Sequence, residues 1–291
     1  MRKLNLKLLV TTTVVITAIS QAEEVDLHQL LRQLISNNTN YYAPTTTELE
    51  TASALFCEML SITNLTSELE SAWGALGFQL QTVQYGGQSY WLVTEPVTNQ
   101  AGRGFYLFRP TTPSNWPLAI QAPHPKNDLY TGYIALHLFT NSSAHALAVA
   151  TVTRTLADMA HMDGTYFQSF TTSFAYVCPT GRVIQIHGFA PSNYPELNAD
   201  VVLSAATNKP PNWLTNYAYA LSDITGFIVA AYPYDTSVLG GTRNAQAAAL
   251  RQFPNARFIH TEIARPAREM LYTNALIRQL MAEWFSFVSH Q

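Results

Sequence analysis

From residue 117 to the C-terminus, short and almost continuously apolar segments alternate with segments whose apolar residues recur at helical spacing. A strand that is apolar at every position has to be covered on both sides. The alternation therefore predicts an α/β fold, with a mostly parallel or mixed central sheet and helices on both faces. The predicted strands are 117–123, 144–154, 181–189, 200–207, 226–235 and 256–263. The predicted helices are 132–140, 166–178, 214–224, 244–253 and 266–288.

Residues 23–115 follow a different pattern, which predicts a small α+β region packed on the α/β core of residues 116–291. Polar and apolar residues alternate through 79–95 around Gly86-Gly87, as is typical of a β-hairpin. The other predicted elements of this region are helical stretches at 23–40 and 46–76 and a strand at 102–110.

Residues 1–22 have the composition of an export signal. Three basic residues precede a short apolar run, and Ser20-Gln21-Ala22 places small residues where a signal peptidase cleaves. A membrane anchor is the alternative, but the apolar run is shorter than the roughly 20 residues that a span requires. We therefore predict cleavage after Ala22, no membrane attachment afterwards, and a periplasmic or secreted protein.

The charge balance limits the classes of partner. The formal net charge is −3, and loss of the three basic residues of the signal makes it −6. A mildly acidic protein of this kind is not expected to bind nucleic acid or an anionic membrane. The two cysteines, Cys57 and Cys178, lack zinc-finger spacing, and either one disulfide or two buried thiols fits the sequence.

Three of the predicted strands end on side chains that can bind a metal ion or move a proton. The carboxyl ends of parallel strands meet at one edge of a sheet, where open α/β proteins build their sites. The side chains in question are His124, Asp128, His187, His260 and Glu262. Their distribution over separate strand ends indicates a metal-assisted hydrolase.

The residue types favour zinc. Zinc binds imidazole nitrogen and carboxylate oxygen, and a catalytic zinc usually has three protein ligands and a water molecule. We therefore predict one Zn²⁺ ion held by His124, Asp128 and His187, with Gly188 permitting a sharp turn after the last of these. A hydrogen-bonded structural role is the alternative for any single histidine, and only the combination favours a metal.

Two further residues could act on the substrate. Glu262 could take a proton from water and return it to a leaving amine, or it could form a salt bridge with Arg265 or Arg268. Arg154 could hold a substrate carboxylate or the developing oxyanion, or it could pair with Asp158 four residues later. We predict Glu262 and Arg154 as catalytic residues.

Two polar loops supply the remaining candidates. Asp158 and His161 are expected to contact substrate or to orient a ligand histidine, with direct metal binding by His161 as the competing interpretation. In the loop 239–246, two glycines precede Arg243, Asn244 and Gln246, which predicts substrate contacts; an ordinary loop that caps a helix fits equally well.

The ordered set His124, Asp128, His187 and Glu262 resembles the site of the zinc carboxypeptidase-like metallohydrolases. These enzymes carry a His-x-x-Glu pair, a later single His and a catalytic Glu on a late strand. The resemblance covers about residues 117–288 and marks a divergent member, because the spacing here is His-x-x-x-Asp. No Asn-Arg pair of the kind that grips a C-terminal carboxylate is found, so carboxypeptidase specificity is not implied.

The resemblance implies a mixed α/β sheet flanked by helices, with zinc as the cofactor. By the same resemblance, His124 and His187 are zinc ligands, Asp128 replaces the ligand glutamate, Glu262 is the base, and Arg154 is a looser match to a substrate- or oxyanion-binding arginine.

The sequence as a whole predicts an exported, zinc-dependent hydrolase that cleaves an amide bond in a small peptide, an acyl-amino acid or a cell-wall fragment. A periplasmic binding protein without catalytic activity, on the same scaffold, is the first alternative. A serine hydrolase ranks last because the chain contains no G-x-S-x-G nucleophile elbow.

Overall fold

The computed structural model describes residues 23–111 and 117–290. In this part of the chain the strands form one open sheet in the order β1-β2-β3-β4-β6-β5-β7-β10-β8-β9. The strands are β1 (Glu23–Glu24), β2 (Gln79–Tyr85), β3 (Gln88–Thr94), β4 (Phe105–Phe108), β5 (Leu118–Ala122), β6 (Ala146–Val149), β7 (Arg182–Phe189), β8 (Val201–Ser204), β9 (Val229–Ala231) and β10 (Arg257–Ala264). The helices are α1 (Leu27–Asn37), α2 (Thr46–Met59), α3 (Ser67–Ala75), α4 (Thr131–Thr140), α5 (Tyr166–Val177), α6 (Trp213–Thr225), α7 (Ala245–Leu250), α8 (Arg265–Thr273) and α9 (Ala275–Val288), with a 3₁₀ turn at Pro191–Asn193.

The centre of the sheet is parallel and its flanks are mixed. Strands β6, β5, β7 and β10 are parallel neighbours. On one side β4 joins β6 in antiparallel pairing and continues through the β2–β3 hairpin, and on the other side β8 runs antiparallel to β10. The predicted α/β class with a mixed sheet is confirmed. The strands of residues 23–115 therefore extend the same sheet as the core strands.

Each face of the sheet carries its own apolar layer. Side chains of α1, α4, α6, α8 and α9 form one layer with residues such as Ile120 and Ile184. Side chains of α2, α3, α5 and α7 form the other layer with residues such as Ala119 and Val183. Successive side chains of β5 and β7 thus alternate between two buried faces, which is why these strands are apolar at nearly every position.

Several elements differ from those expected. The expected strand 144–154 is only β6, which ends at Val149, so Arg154 lies in the loop after it. The helical stretch 46–76 is two helices, α2 and α3, and the expected strand 226–235 is only the three residues of β9. The expected single helix 266–288 is also two helices. Asn274 leaves the helical conformation at φ −106° and ψ 112°, and its side chain accepts from the backbone N–H groups of Leu276 and Ile277, so it ends α8 and caps α9.

The expectation of an export signal concerns residues 1–22, which lie outside the described residues. Among the described helices, none has the length and apolar character needed to cross a bilayer. Both cysteines are free thiols, Cys57 half-buried and Cys178 buried, so of the two possibilities left open the disulfide is absent. Burial raises the pKa of the Cys178 thiol to about 12.

Candidate active site

The candidate site lies at the carboxyl ends of the central parallel strands. His124 follows β5, and His187 is the third residue from the end of β7. Strand β10 pairs with β7 so that Glu262 is opposite His187 and His260 is opposite Gln185. Because alternate residues of a strand share a face, the four side chains on β7 and β10 point to the same side of the sheet.

His124, Asp128 and His187 form a buried cluster whose ligand atoms all lie within 4.8 Å of one another. Asp128 Oδ2 is 3.6 Å from His124 Nδ1 and 3.7 Å from His187 Nδ1. Ligand atoms about 2.1 Å from a tetrahedral zinc ion are roughly 3.4 Å apart, so the cluster is close to the size of a zinc site. His124 Nδ1 is buried and has no hydrogen-bond partner. A metal ion at the cluster would satisfy this otherwise costly nitrogen, so the residues present fit zinc.

A single turn of backbone explains how the His-x-x-x-Asp spacing converges. Backbone N–H groups of Asn127 and Asp128 donate to the carbonyl of His124 at 3.0 and 2.8 Å. This turn brings residues four apart onto one side, as in an α-helix. The turn thus accommodates the His-x-x-x-Asp spacing and places the Asp128 carboxylate 3.6 Å from His124 Nδ1.

Backbone from the neighbouring strand holds the Asp128 carboxylate. The N–H of Gly188 donates to Asp128 Oδ2 at 3.1 Å. Burial raises the pKa of Asp128, but the adjacent imidazoles of His124 and His187 lower it more, and the net pKa lies well below its usual range. A Cβ atom at residue 188 would collide with the guanidinium of Arg268, so any other residue would have to displace that group from the backbone carbonyls to which it donates.

Asp158 orients the first histidine. His124 Nε2 lies 2.7 Å from Asp158 Oδ1, and because a carboxylate can only accept, the nitrogen donates, and in the neutral imidazole Nδ1 then carries the lone pair that a metal needs. Burial lowers the pKa of His124, but its contacts with Asp128 and Asp158 raise it more. His161 Nδ1 also contacts Asp158 Oδ1 at 3.1 Å, and Arg154 Nη2 is 3.5 Å from Oδ2.

Replacing Asp158 with asparagine should weaken zinc binding by about tenfold, the lower end of the range for loss of a ligand's outer partner. The substitution keeps the shape of the side chain but removes the charge that supports His124. Zinc affinity measured by competition with a chromophoric chelator tests this. Asp163→Asn is the matched control, because Asp163 lies in the same loop, is exposed and makes no contact with His124. Equal affinities for both variants would contradict the role of Asp158.

Glu262 lies beside the cluster as an ionised carboxylate. His260 Nε2 approaches Glu262 Oε1 at 3.2 Å, and the ring of His260 is 4.4 Å from that of His187. Burial raises the pKa of Glu262, but the hydrogen bond from His260 and the nearby imidazoles of His187 and His260 together lower it more. The competing salt bridges are not formed: Arg265 pairs with Glu269 at 3.0 Å, and Arg268 donates to backbone carbonyls.

Two adjoining cavities give access to the cluster. A small one of about 120 Å³ is lined by the three candidate ligands together with Glu262, Arg154 and His161. A larger one of about 480 Å³ shares Asp128, Arg154, Gly188 and Glu262 with it and extends past Tyr194 to Arg265 and Arg268. Arg154 is 43 % exposed and stands where the two cavities join. The arrangement offers a place for a substrate next to the cluster.

The residues of the loop 239–246 separate in space. Asn244 lines the small cavity and donates to Gln185, whereas Gln246 is fully buried and hydrogen-bonds only to other buried groups. Arg243 is exposed and lines neither of the two cavities. The roles predicted for all the candidate residues in catalysis, metal binding and substrate contact stay predictions.

Two residues of the site received no role from the sequence. His260 contacts Glu262. The sequence feature that could have indicated this contact is its position two residues before Glu262 in the same predicted strand, which puts both side chains on one face. Gln185 contacts His187 Nε2 through its Oε1 atom at 2.7 Å. The sequence feature that could have indicated a role for Gln185 is its position as a polar residue in the middle of the otherwise apolar segment VIQIHG.

Comparison with known proteins gives a fold-level likeness. No family model matches the chain, and no curated protein matches it. Among solved structures, N-formylglutamate amidohydrolase from Ralstonia eutropha JMP134 is 14 % identical with a TM-score of 0.44 over 60 % of this chain and 93 % of that one. A metallo-carboxypeptidase from Burkholderia cenocepacia is 11 % identical with a TM-score of 0.44, over 73 % and 77 %.

A third solved structure, an aspartoacylase family protein from Mesorhizobium loti, is 10 % identical with a TM-score of 0.37, over 70 % of this chain and 66 % of that one. At TM-scores below 0.5 the likeness carries no argument about activity, and the function proposed below depends on the geometry of the site.

Proposed function

We propose that this chain is an exported, zinc-dependent hydrolase that cleaves an amide bond in a small peptide, an acyl-amino acid or a cell-wall fragment. The observation that carries the proposal is the buried cluster of His124, Asp128 and His187, with an unpartnered imidazole nitrogen and an ionised Glu262 beside it. Export is supported only by the composition of residues 1–22.

Amide hydrolysis at this site needs a metal-binding cluster and a group that transfers protons, and the chain supplies both. A zinc ion at the cluster supplies Lewis acidity and makes water a nucleophile at neutral pH. Glu262 Oε1 is held by His260, which leaves Oε2 to take the proton of the attacking water and deliver it to the departing nitrogen. One carboxylate can serve both steps because it returns to its ionised form after each turnover.

The larger cavity accounts for substrate binding. Arg154 and Arg265 are exposed at its wall. Arg265 is paired with Glu269 at 3.0 Å, whereas Arg154 is held only at 3.5 Å by Asp158 and is the arginine more open to a substrate. The guanidinium of Arg154 stands at the junction with the small cavity, where it can hold a carboxylate of the substrate or the oxyanion that develops during attack. An exposed guanidinium at this position favours a substrate with an anionic group near the scissile amide.

Removal of the metal tests the proposal. The purified mature protein should contain about one zinc ion per chain, and a chelator should abolish hydrolysis of responsive members of a panel of N-acyl amino acids, dipeptides and cell-wall peptides. Added zinc should restore that activity. Hydrolysis that is insensitive to chelators but is abolished by a serine-directed reagent would contradict the metal mechanism and favour the serine hydrolase.

A further inference from the structure

A network of buried amide groups lies directly beneath the candidate metal cluster. It occupies the layer between the sheet and helices α5 and α7, where the sequence pattern predicts apolar side chains. Buried polar groups are costly unless they are hydrogen-bonded, so a connected network in this place calls for an explanation. Its members, each at most 9 % exposed, are Gln121, Gln168, Thr171, Gln185, Asn244 and Gln246.

The backbone fixes the direction of the hydrogen bonds that reach Gln185 from Gln246. Gln246 Nε2 donates to the carbonyl of Met159 at 2.8 Å, and a carbonyl can only accept. The same nitrogen donates to Gln168 Oε1, whose own amide nitrogen faces the carbonyl of Ala245. The oxygen of Gln246 must therefore face Gln185 Nε2, which donates to it at 3.1 Å.

Asn244 supplies a second and independent anchor. Its Oδ1 atom accepts from the backbone N–H of Ala247 at 2.9 Å, and a backbone N–H can only donate. Its Nδ2 atom therefore faces Gln185 and donates to Oε1 at 2.5 Å. Both anchors agree that the amide nitrogen of Gln185 points to Gln246 and its oxygen points to Asn244.

Hydrogen bonds through Gln121 indicate the same orientation of the Gln185 amide group as the two anchors. The hydroxyl of Thr171 donates to the carbonyl of Phe167 at 3.0 Å and accepts from Gln121 Nε2 at 2.7 Å. Gln121 Oε1 then accepts from Gln185 Nε2 at 3.0 Å. The second hydrogen of the Gln185 amide group is thereby used, and its oxygen is the group left to meet His187.

These hydrogen bonds determine which ring nitrogen of His187 carries the hydrogen. Gln185 Oε1 lies 2.7 Å from His187 Nε2 and can only accept, so Nε2 carries the hydrogen. A neutral imidazole has one N–H, and Nδ1 therefore keeps its lone pair, which faces Asp128 at 3.7 Å. We propose that Gln185 is a positioning residue that fixes the Nε2–H tautomer of His187 and so presents Nδ1 to the metal.

This role rests on the proposed metal function and adds a distinction between the two histidines. His124 is oriented by a carboxylate, Asp158, whereas His187 is oriented by a neutral amide whose direction is set by backbone groups several residues away. Asn244 and Gln246, which the sequence placed near the substrate, hold Gln185 in this orientation.

Metal affinity of matched variants provides the first test. Gln185→Met keeps the length of the side chain but removes the acceptor for His187, and it should weaken zinc binding by roughly 10- to 100-fold in chelator competition. Ser173→Ala is the control: it removes a buried hydrogen-bonding side chain on α5 that donates to the carbonyl of Ser53 and makes no hydrogen bond to the network. It should bind zinc as the wild type does. Equal affinities of the two variants would overturn the proposal.

The tautomer itself is measurable in the metal-free protein. In ¹⁵N-histidine-labelled apo protein, two-bond nitrogen–proton couplings distinguish Nε2–H from Nδ1–H, and the signals of His187 are those that His187→Gln lacks. The wild type should show Nε2–H, and Gln185→Met should shift toward Nδ1–H, which can then donate to Asp128. An Nδ1–H tautomer in the wild type would overturn the proposal.

The two readouts separate this inference from the proposed function. A wild-type protein that binds no zinc removes the proposed function, while its tautomer still decides what Gln185 does. A wild-type protein that binds zinc with the Nδ1–H tautomer at His187 in the apo state, or with no effect of Gln185→Met, keeps the metal function and removes the role of Gln185.

Discussion

Replacing Glu262 with glutamine should lower the rate of amide hydrolysis by roughly 10²- to 10⁴-fold, the range that a positioned general acid–base group contributes. Glutamine matches glutamate in shape and can still meet His260, but it cannot take a proton from water at neutral pH. Glu262 does not belong to the cluster of His124, Asp128 and His187, so the variant should retain its zinc. Steady-state kinetics on the best substrate of the panel, together with metal analysis of the same sample, measures both quantities.

The matched control for this experiment is Glu283→Gln. It makes the same change of charge and shape on α9, at an exposed residue that contacts Gln279 and lines neither of the two cavities. Its activity and zinc content should match those of the wild type. The same experiment separates the hydrolase from a binding protein, because a binder would retain ligand affinity in Glu262→Gln and would show no turnover to lose. Wild-type turnover in Glu262→Gln would exclude Glu262 as the base.

The position of the site could be predicted from the sequence because strand periodicity decides it. Apolar segments that stop at His124, His187 and Glu262 have to expose those residues at the ends of parallel strands, and the register of β7 and β10 places the last two opposite each other. Asp128 was predicted from proximity in sequence alone. The turn that brings it to His124 is a local hydrogen-bonding pattern. Pro123 and Pro125, on either side of His124, favour extended backbone instead, so the sequence does not predict this turn.

The remainder of the site depends on contacts between distant segments. Gln185 acquires its role from Asn244 and Gln246, about sixty residues later, and periodicity contains no information about such pairs. A polar residue inside an apolar strand marks a position as unusual but does not name its partner. The break at Asn274 was missed for a different reason: an asparagine in a long amphipathic segment costs a helix only modestly, so tertiary packing decides whether it interrupts the helix.

Substitution of either ligand histidine by alanine should remove stoichiometric zinc. Loss of an outer partner costs roughly 10- to 100-fold in affinity, and loss of one of three protein ligands should cost more, because the ion then retains only two protein bonds. Metal analysis after dialysis of His124→Ala and His187→Ala, beside the wild type, measures this. Hydrolysis should be lost in both variants and should not return with added zinc at concentrations that saturate the wild type.

The control for these variants is His145→Ala, which removes an equally buried imidazole at the opposite end of the sheet, just before β6. It should lose stability as the ligand variants do, because each leaves a cavity, but it should keep its zinc. Comparison of unfolding midpoints with metal content separates the two effects. If His124→Ala, His187→Ala and the wild type held equal amounts of metal, the ion would lie elsewhere, and the buried nitrogen of His124 would need another explanation.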